Sequence, residues 1–180
     1  MNQKPYKRVF FALWPDQNTR RDISRLFKQS PQSNLPGQAF RACNLHLTLA
    51  FAGNVSVEQL DCYSEAALNL KPESFELELN VFGYFKQARV FWLGPTTIPA
   101  PLSRLQSDLT EALTGCGYQA DTHLFTPHIT LMCKTEMANP PICDRSIAWK
   151  VNQFVLLESI QTSEGVTYQP LKTFDLYAAE

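Results

Sequence analysis

No run of apolar residues in this chain approaches the ~20 that a helix needs to cross a bilayer, so no membrane association is expected. The short run Val9–Trp14 follows Lys4, Lys7 and Arg8. It is too short for a signal-peptide core and has no small-residue cleavage site, so it reads as a first strand stopped by Pro15. An excess of basic charge is also missing. Lys and Arg number 16 against 17 Asp and Glu, for a net charge of −1. No global field draws long nucleic acid, and an anionic substrate has to be held by a local cluster. There is no C-x-x-C pair. The five cysteines (Cys43, Cys62, Cys116, Cys133, Cys143) are odd in number and scattered, which predicts free thiols in a reducing cytoplasm rather than a disulfide frame. Low-complexity segments and domain linkers are absent, so residues 1–180 are expected to form a single domain with a sizeable core.

Histidine is scarce, with only three copies, yet two of them repeat one pattern. His46-Leu47-Thr48-Leu49 and His128-Ile129-Thr130-Leu131 both read His-x-Thr-x at the start of an apolar run. In a strand, residues i and i+2 point to the same face. His46 with Thr48, and His128 with Thr130, would then project from one face while Leu47, Leu49, Ile129 and Leu131 anchor the other. The context repeats too. A helix over Asp16–Gln29, capped by Asp16 and carrying Ile23, Leu26 and Phe27 at helical spacing, precedes the first copy. A helix marked by Leu102, Leu105, Leu109 and Leu113, ending near Gly115 and Gly117, precedes the second. Leu26 lies 20 positions before His46, and Leu109 lies 19 before His128. Two pseudo-equivalent lobes facing each other would bring both histidines into one cleft.

The remaining order is mixed. The His46 strand runs to about Phe51, and Gly53-Asn54 turns the chain. Ser56 caps a helix over Val57–Leu70 with Leu60, Tyr63, Ala67 and Leu70 inward. Phe75–Val81 alternates as a half-buried strand, and Val90–Leu93 follows after the loop Phe85–Arg89. Ile147–Leu157, Val166–Gln169 and Phe174–Tyr177 complete the strands, with a hairpin turn at Glu164-Gly165. Many strands and short connections predict an α+β fold with largely antiparallel sheets.

Histidine is the side chain best suited to exchange protons near neutrality. One neutral imidazole can take a proton from water while a protonated one supplies the leaving oxygen, and two hydroxyls can bond the nonbridging phosphate oxygens as charge grows there. This pairing suits a strained cyclic phosphodiester and calls for no metal and no cofactor. A metal site would usually need three or more ligands, often at H-x-H or H-x-x-x-H spacing. Only His123, with Asp121, remains to supply them, and the threonines would be left without a role. A Cys-His nucleophile pair would fall to Cys133, whose odd offset from His128 turns it to the opposite face.

With these residues in view, the chain resembles the two-histidine (2H) phosphoesterase superfamily, and within it the RNA 2′,3′-cyclic phosphodiesterases of the LigT/ThpR type, once described as 2′-5′ RNA ligases. The resemblance rests on Arg8-Val9-Phe10-Phe11-Ala12, Asn44–Phe51 followed by Gly53, Arg89–Gly94, Phe125–Leu131, and the tail Phe154–Ser159 with Gly165 and Tyr168. It implies a bilobal, pseudo-twofold α+β fold with helices on the outside and a central cleft holding both motifs. It further implies metal-free hydrolysis of RNA 2′,3′-cyclic phosphate ends to 2′-phosphates; separately, the protein is expected to be cytoplasmic and monomeric. Carried over by position, His46 and His128 are the catalytic pair, and Thr48 and Thr130 hold the phosphate. His128 would activate water and His46 would protonate the departing 3′ oxygen, with weak 2′-5′ ligation as the reverse reaction. Three departures stand out. Ala52 replaces a common leucine, Cys133-Lys134 stands where relatives are often basic directly after the motif, and Arg41-Ala42-Cys43 lacks the usual acidic or proline character.

Other substrate contacts are candidates of lower rank. Phe125 could stack on a base, and Arg41, Arg89 and Lys134 could meet phosphate or ribose. Trp92 reads as core, and His123 as a surface residue at the rim. Two rival readings remain open. One keeps the chemistry on a small nucleotide or ADP-ribose derivative with a cyclic phosphate. The other is a non-catalytic nucleotide- or RNA-binding module.

Overall fold

The computed structural model describes residues 6–163 and 165–178. Lys4 and Glu164, and with Glu164 the hairpin turn expected there, lie outside the described residues. The chain runs β1 (Lys7–Leu13), α1 (Gln17–Gln29), β2 (Gln38–Ala39), β3 (Leu47–Val55), α2 (Val57–Leu68), β4 (Phe75–Leu79), β5 (Val81–Phe85), β6 (Val90–Gly94), α3 (Ala100–Thr114), β7 (Ile129–Cys133), β8 (Ile147–Val151), β9 (Gln153–Thr162) and β10 (Gly165–Asp175). The main sheet has the order β10-β9-β1-β3-β7-β6-β5, with β2 added to β7, and β4 pairs β8 in a second small sheet. The ladders between these strands are antiparallel. This is the α+β architecture that the strand pattern predicts.

The helix starts follow from local chemistry. The Asp16 carboxylate accepts from the amides of Asn18 and Thr19 at 2.8 and 3.0 Å, satisfying donors that the first turn of α1 leaves free. Ser56 and Gln59 form a reciprocal capping box on α2. In α3 the leucines at 102, 105, 109 and 113 are all buried. The main core lies between these helices and one face of the large sheet. It takes Val9, Phe11 and Leu13 from β1, and Leu47 and Leu49 from β3. Alternation sends Phe10 and Ala12 to the other face, where they pack with Val155, Leu157, Trp14 and Tyr168 in a smaller cluster. That second face carries the site.

Several expected boundaries are corrected. Phe75–Val81 is not one strand. It ends at Asn80, whose amide donates to the Gly94 carbonyl and whose side chain accepts from the Thr96 amide at 2.8 Å. Ile147–Leu157 is likewise divided at Asn152, whose carbonyl accepts from the Leu176 amide. At each asparagine the chain leaves the small sheet and enters the large one, a pseudo-twofold feature. The apolar alternation hides both breaks because the strands on either side feed the same core. Gly53-Asn54 is no turn, because β3 continues to Val55. Gly53 takes φ +70° beside a register skip, with Val9 opposite Gly53 and Phe10 opposite Phe51. A bulge bends the strand there. Val166–Gln169 and Phe174–Tyr177 belong largely to one strand, β10, with a register shift between Pro170 and Lys172.

The cysteine expectation is corrected as well. Cys62 on α2 and Cys116 just beyond α3 form a disulfide, with Cα atoms 5.9 Å apart. The two helices pack together and bring the sulfurs within bridging range, a proximity invisible across 54 positions of sequence. Cys43, Cys133 and Cys143 are free. Among the described residues no helix is long and apolar enough to cross a membrane.

Candidate active site

The two motifs meet where β3 joins β7. Their shared ladder contains one residue pair, Leu47 opposite Ile129. These are the residues directly after the two histidines. Continuing that antiparallel register by one residue each way sets His46 beside Thr130 and Thr48 beside His128. Each histidine therefore neighbours the threonine of the other motif, and all four side chains rise from the face opposite buried Leu47 and Ile129. The sequence pattern predicts this shared face. The cross-pairing comes from the sheet order. Both histidines stand just ahead of their strands, which begin at Leu47 and Ile129.

Both imidazoles are oriented in the same way. His46 Nδ1 lies 2.7 Å from the Asn44 carbonyl, and His128 Nδ1 lies 2.8 Å from the Thr126 carbonyl. A carbonyl only accepts, so each Nδ1 carries the proton and each Nε2 is left to exchange one. Aromatic rings hold the planes. The His46 ring sits 4.9 Å from both Phe10 and Tyr168. The His128 ring stands edge-on to Phe85 at 4.9 Å, with Trp92 at 6.1 Å. Trp92 is thus half-buried under a motif histidine rather than simply core. A Cβ on Gly83 would overlap the Trp92 ring, so the absence of a side chain at Gly83 gives that floor its position.

Burial holds both histidines below their ordinary range. His46 is pushed down to about 4, chiefly by desolvation and partly by repulsion from His128, against the stabilising Asn44 carbonyl. His128 is lowered by burial, with the Thr126 carbonyl opposing. In the free protein both are neutral at pH 7.

Two hollows adjoin the four residues. One, of about 500 Å³, is lined by His46, Thr48 and Thr130 together with Arg8, Tyr168 and Gln161. The other holds His128 and Thr48 with Phe85, Phe125, Asp121 and His123. Thr48 and Phe51 line both. Phe125 is therefore at the site, and His123, paired with Asp121 and exposed, is at its rim. Arg41, Arg89 and Lys134 line neither hollow. Arg89 takes φ +55° in the β5–β6 turn and pairs with Glu136 at 2.9 Å. Lys134 takes φ +56° and is exposed just past β7. Arg41 lies exposed ahead of the 3-10 turn Ala42–Asn44. The cation that sequence reasoning leaves without a role is Arg8. It lines the His46 hollow and lies over the Phe51 ring at 5.1 Å. Its parity with Phe10 on β1 is the one signal that points to it. Among the described residues no group of three or more His, Cys, Asp or Glu could hold a metal.

Comparison with known proteins bears on this geometry. Residues 15–161 match the model of the 2′-5′ RNA ligase superfamily. An RNA 2′,3′-cyclic phosphodiesterase of Escherichia coli is 32% identical over 173 residues, covering 94% of this chain and 97% of its own length. One from Archaeoglobus fulgidus is 28% identical over 180 residues, covering 93% and 99%. The crystal structure of E. coli LigT complexed with 3′-AMP superposes with a TM-score of 0.85 at 33% identity, covering 96% of this chain and 99% of that one.

Proposed function

The chain belongs to the 2′-5′ RNA ligase superfamily, and we propose that it hydrolyses 2′,3′-cyclic phosphate ends of RNA to 2′-phosphates without a metal, using His46 and His128 as the acid–base pair and Thr48 and Thr130 as phosphate donors. One observation carries this reading. The Leu47–Ile129 pairing sets each histidine beside the other motif's threonine. A phosphorus atom over this square has two hydroxyls for its nonbridging oxygens and an imidazole Nε2 on either side. Relatives named RNA 2′,3′-cyclic phosphodiesterase support the substrate class.

The step follows from the placement. His128 is the less strongly desolvated of the two. Its Nε2 takes a proton from water as the water oxygen bonds to phosphorus. The P–O3′ bond breaks on the opposite side, and protonated His46 delivers its proton to the departing 3′ oxygen. His46 gains that proton along with the anionic substrate. The enclosure that depresses it in the free cleft also strengthens its attraction to a bound phosphate, because the charges meet in a low-dielectric setting. With a 5′ hydroxyl in place of water as the nucleophile, the same step would open the cyclic phosphate to a 2′-5′ linkage, but water at high concentration favours hydrolysis. One chain completes the cleft, and we take the working unit as a monomer. RNA ends as substrate fit a cytoplasmic enzyme.

The direct test is a short RNA with a 2′,3′-cyclic phosphate end incubated with excess EDTA. The expected product is the 2′-phosphate at an undiminished rate. A 3′-phosphate product, or loss of turnover with chelator, would overturn the reading. Failure on RNA with turnover of small cyclic nucleotides would move the substrate class alone.

The same residues fix a pH dependence. The productive form holds one proton on the pair. That form has the proton on His46 and leaves His128 neutral. In the free protein His46 is held down to about 4 and burial lowers His128 as well, so the competent form belongs to acid pH. The kcat/KM is therefore expected to fall as pH rises toward neutrality. The kcat profile shifts to higher pH, because a bound anion favours the imidazolium. Initial rates across the acid and neutral range, at limiting and saturating substrate, check both.

A further inference from the structure

Helix α1 carries Arg20, Arg21, Arg25 and Lys28 against one acid, Asp22. In a chain of net charge −1 this is a local concentration of positive charge. Arg21, Arg25 and Lys28 stand at i, i+4 and i+7, on one helix face, and all three are exposed. They line an open groove of about 950 Å³ whose other wall is Ala42 and Cys43. The groove is tied to the loop that carries His46. The Arg20 guanidinium lies 4.5 Å over the Trp14 ring, and Trp14 Nε1 donates to the Cys43 carbonyl at 3.3 Å. Arg20 Nε is buried there with no acceptor among the described residues.

The groove lies close to the catalytic hollow. The end of β1 pairs with the start of β3, Leu13 opposite Leu47, so α1 begins within a few residues of the motif. Ser24, Lys28, Phe40 and Ala42 surround a small intermediate hollow. Phe40 also walls the His46 hollow, while Ser24, Lys28 and Ala42 also wall the basic groove. Phe40 thus stands between the phosphate-binding threonines and the cations of α1. The alternative exit, beside His128, is lined by no Lys or Arg and has the Asp121 carboxylate at its rim. A polyanion leaving the site is drawn one way and repelled the other.

We propose that the groove between α1 and Ala42–Cys43 holds the backbone phosphates of the RNA strand upstream of its cyclic end, so that chain length, rather than base identity, is recognised there. The inference rests on the reading of RNA ends as substrate. Arg20 on Trp14 forms the fixed wall, and Arg21, Arg25 and Lys28 supply charge to successive phosphates.

The test is the triple variant Arg21→Glu, Arg25→Glu, Lys28→Glu, compared with wild type on an oligoribonucleotide ending in a 2′,3′-cyclic phosphate and on a 2′,3′-cyclic mononucleotide. For the oligonucleotide, kcat/KM is expected to fall at least tenfold. The slope of log kcat/KM against log salt should become shallower by about two, from roughly 0.7 for each single-strand phosphate that is no longer neutralised. The mononucleotide, which cannot reach the groove, is expected to be turned over as by wild type. Equal loss on both substrates, or no change on either, overturns the proposal. Anisotropy of the same oligonucleotide ending in a 2′-phosphate reads the groove without turnover. Wild-type binding whose salt slope becomes shallower by the same amount in the variant supports the groove even if cyclic ends prove not to be the substrate, and binding unchanged by the variant overturns it.

Discussion

His46→Ala and His128→Ala are each expected to lower kcat on a 2′,3′-cyclic phosphate end by about 10²–10⁴-fold, the range that general acid–base catalysis supplies. The double variant should be little worse than either single one, because the two groups act in one step and their losses do not add. Binding of the 2′-phosphate product should survive in both, since the threonine hydroxyls remain. The direction of the residual pH dependence separates the roles. His46→Ala keeps the base, which works only when neutral, so its residual rate rises with pH through the His128 value. His128→Ala keeps the acid, which works only when charged, so its rate falls as pH rises. Opposite slopes in the two variants would exchange the roles. Rates within a few-fold of wild type in both would remove the histidines from the chemistry and leave a binding cleft.

How much of this is legible in the sequence follows from the range of each signal. The duplicated His-x-Thr is a period-two pattern, so the shared face of His46 and Thr48 can be read from neighbouring positions. The helices can be read as well, because Asp16, Ser56 and the spaced leucines act within a few residues of themselves. The cross-pairing of the motifs cannot. It depends on β3 lying beside β7, and one ladder pair, Leu47 with Ile129, decides it. Arg8 escapes sequence reasoning for a similar reason. It sits in β1, and only the β1–β3 ladder brings that strand to the His46 hollow. Lys134 is close to the second motif in sequence, but it and Arg89 emerge at turns beyond the far ends of β7 and β6. Uninterrupted apolar alternation masks the breaks at Asn80 and Asn152. The disulfide needs the packing of α2 on α3. Local periodicity shows what each segment can present, and sheet order determines what it meets.

Thr48→Val and Thr130→Val are expected to cost about 10²–10³-fold each in kcat, the scale seen when one donor to a developing oxyanion is removed. Valine keeps the β-branched shape that suits a strand, and both threonines are half-buried at the cleft face rather than packed in the core. The folded state should hardly notice. What disappears is a hydroxyl aimed at a nonbridging oxygen whose charge grows as water adds to phosphorus. The loss should therefore fall mainly on kcat, with KM moving by a few-fold at most. Serine at either position keeps a donor and should restore most of the rate. Because Thr48 neighbours His128 and Thr130 neighbours His46, each valine also stands beside the other motif's imidazole. A hydroxyl that only held its neighbouring ring would shift the pH profile when removed. A hydroxyl that binds phosphate lowers the rate at every pH and leaves the fall toward neutrality in place, and that is the expected result. Full kcat/KM profiles of the two valine variants, measured alongside thermal unfolding, distinguish these cases, and a displaced limb without a lower plateau would assign the threonines to the histidines rather than to the phosphate.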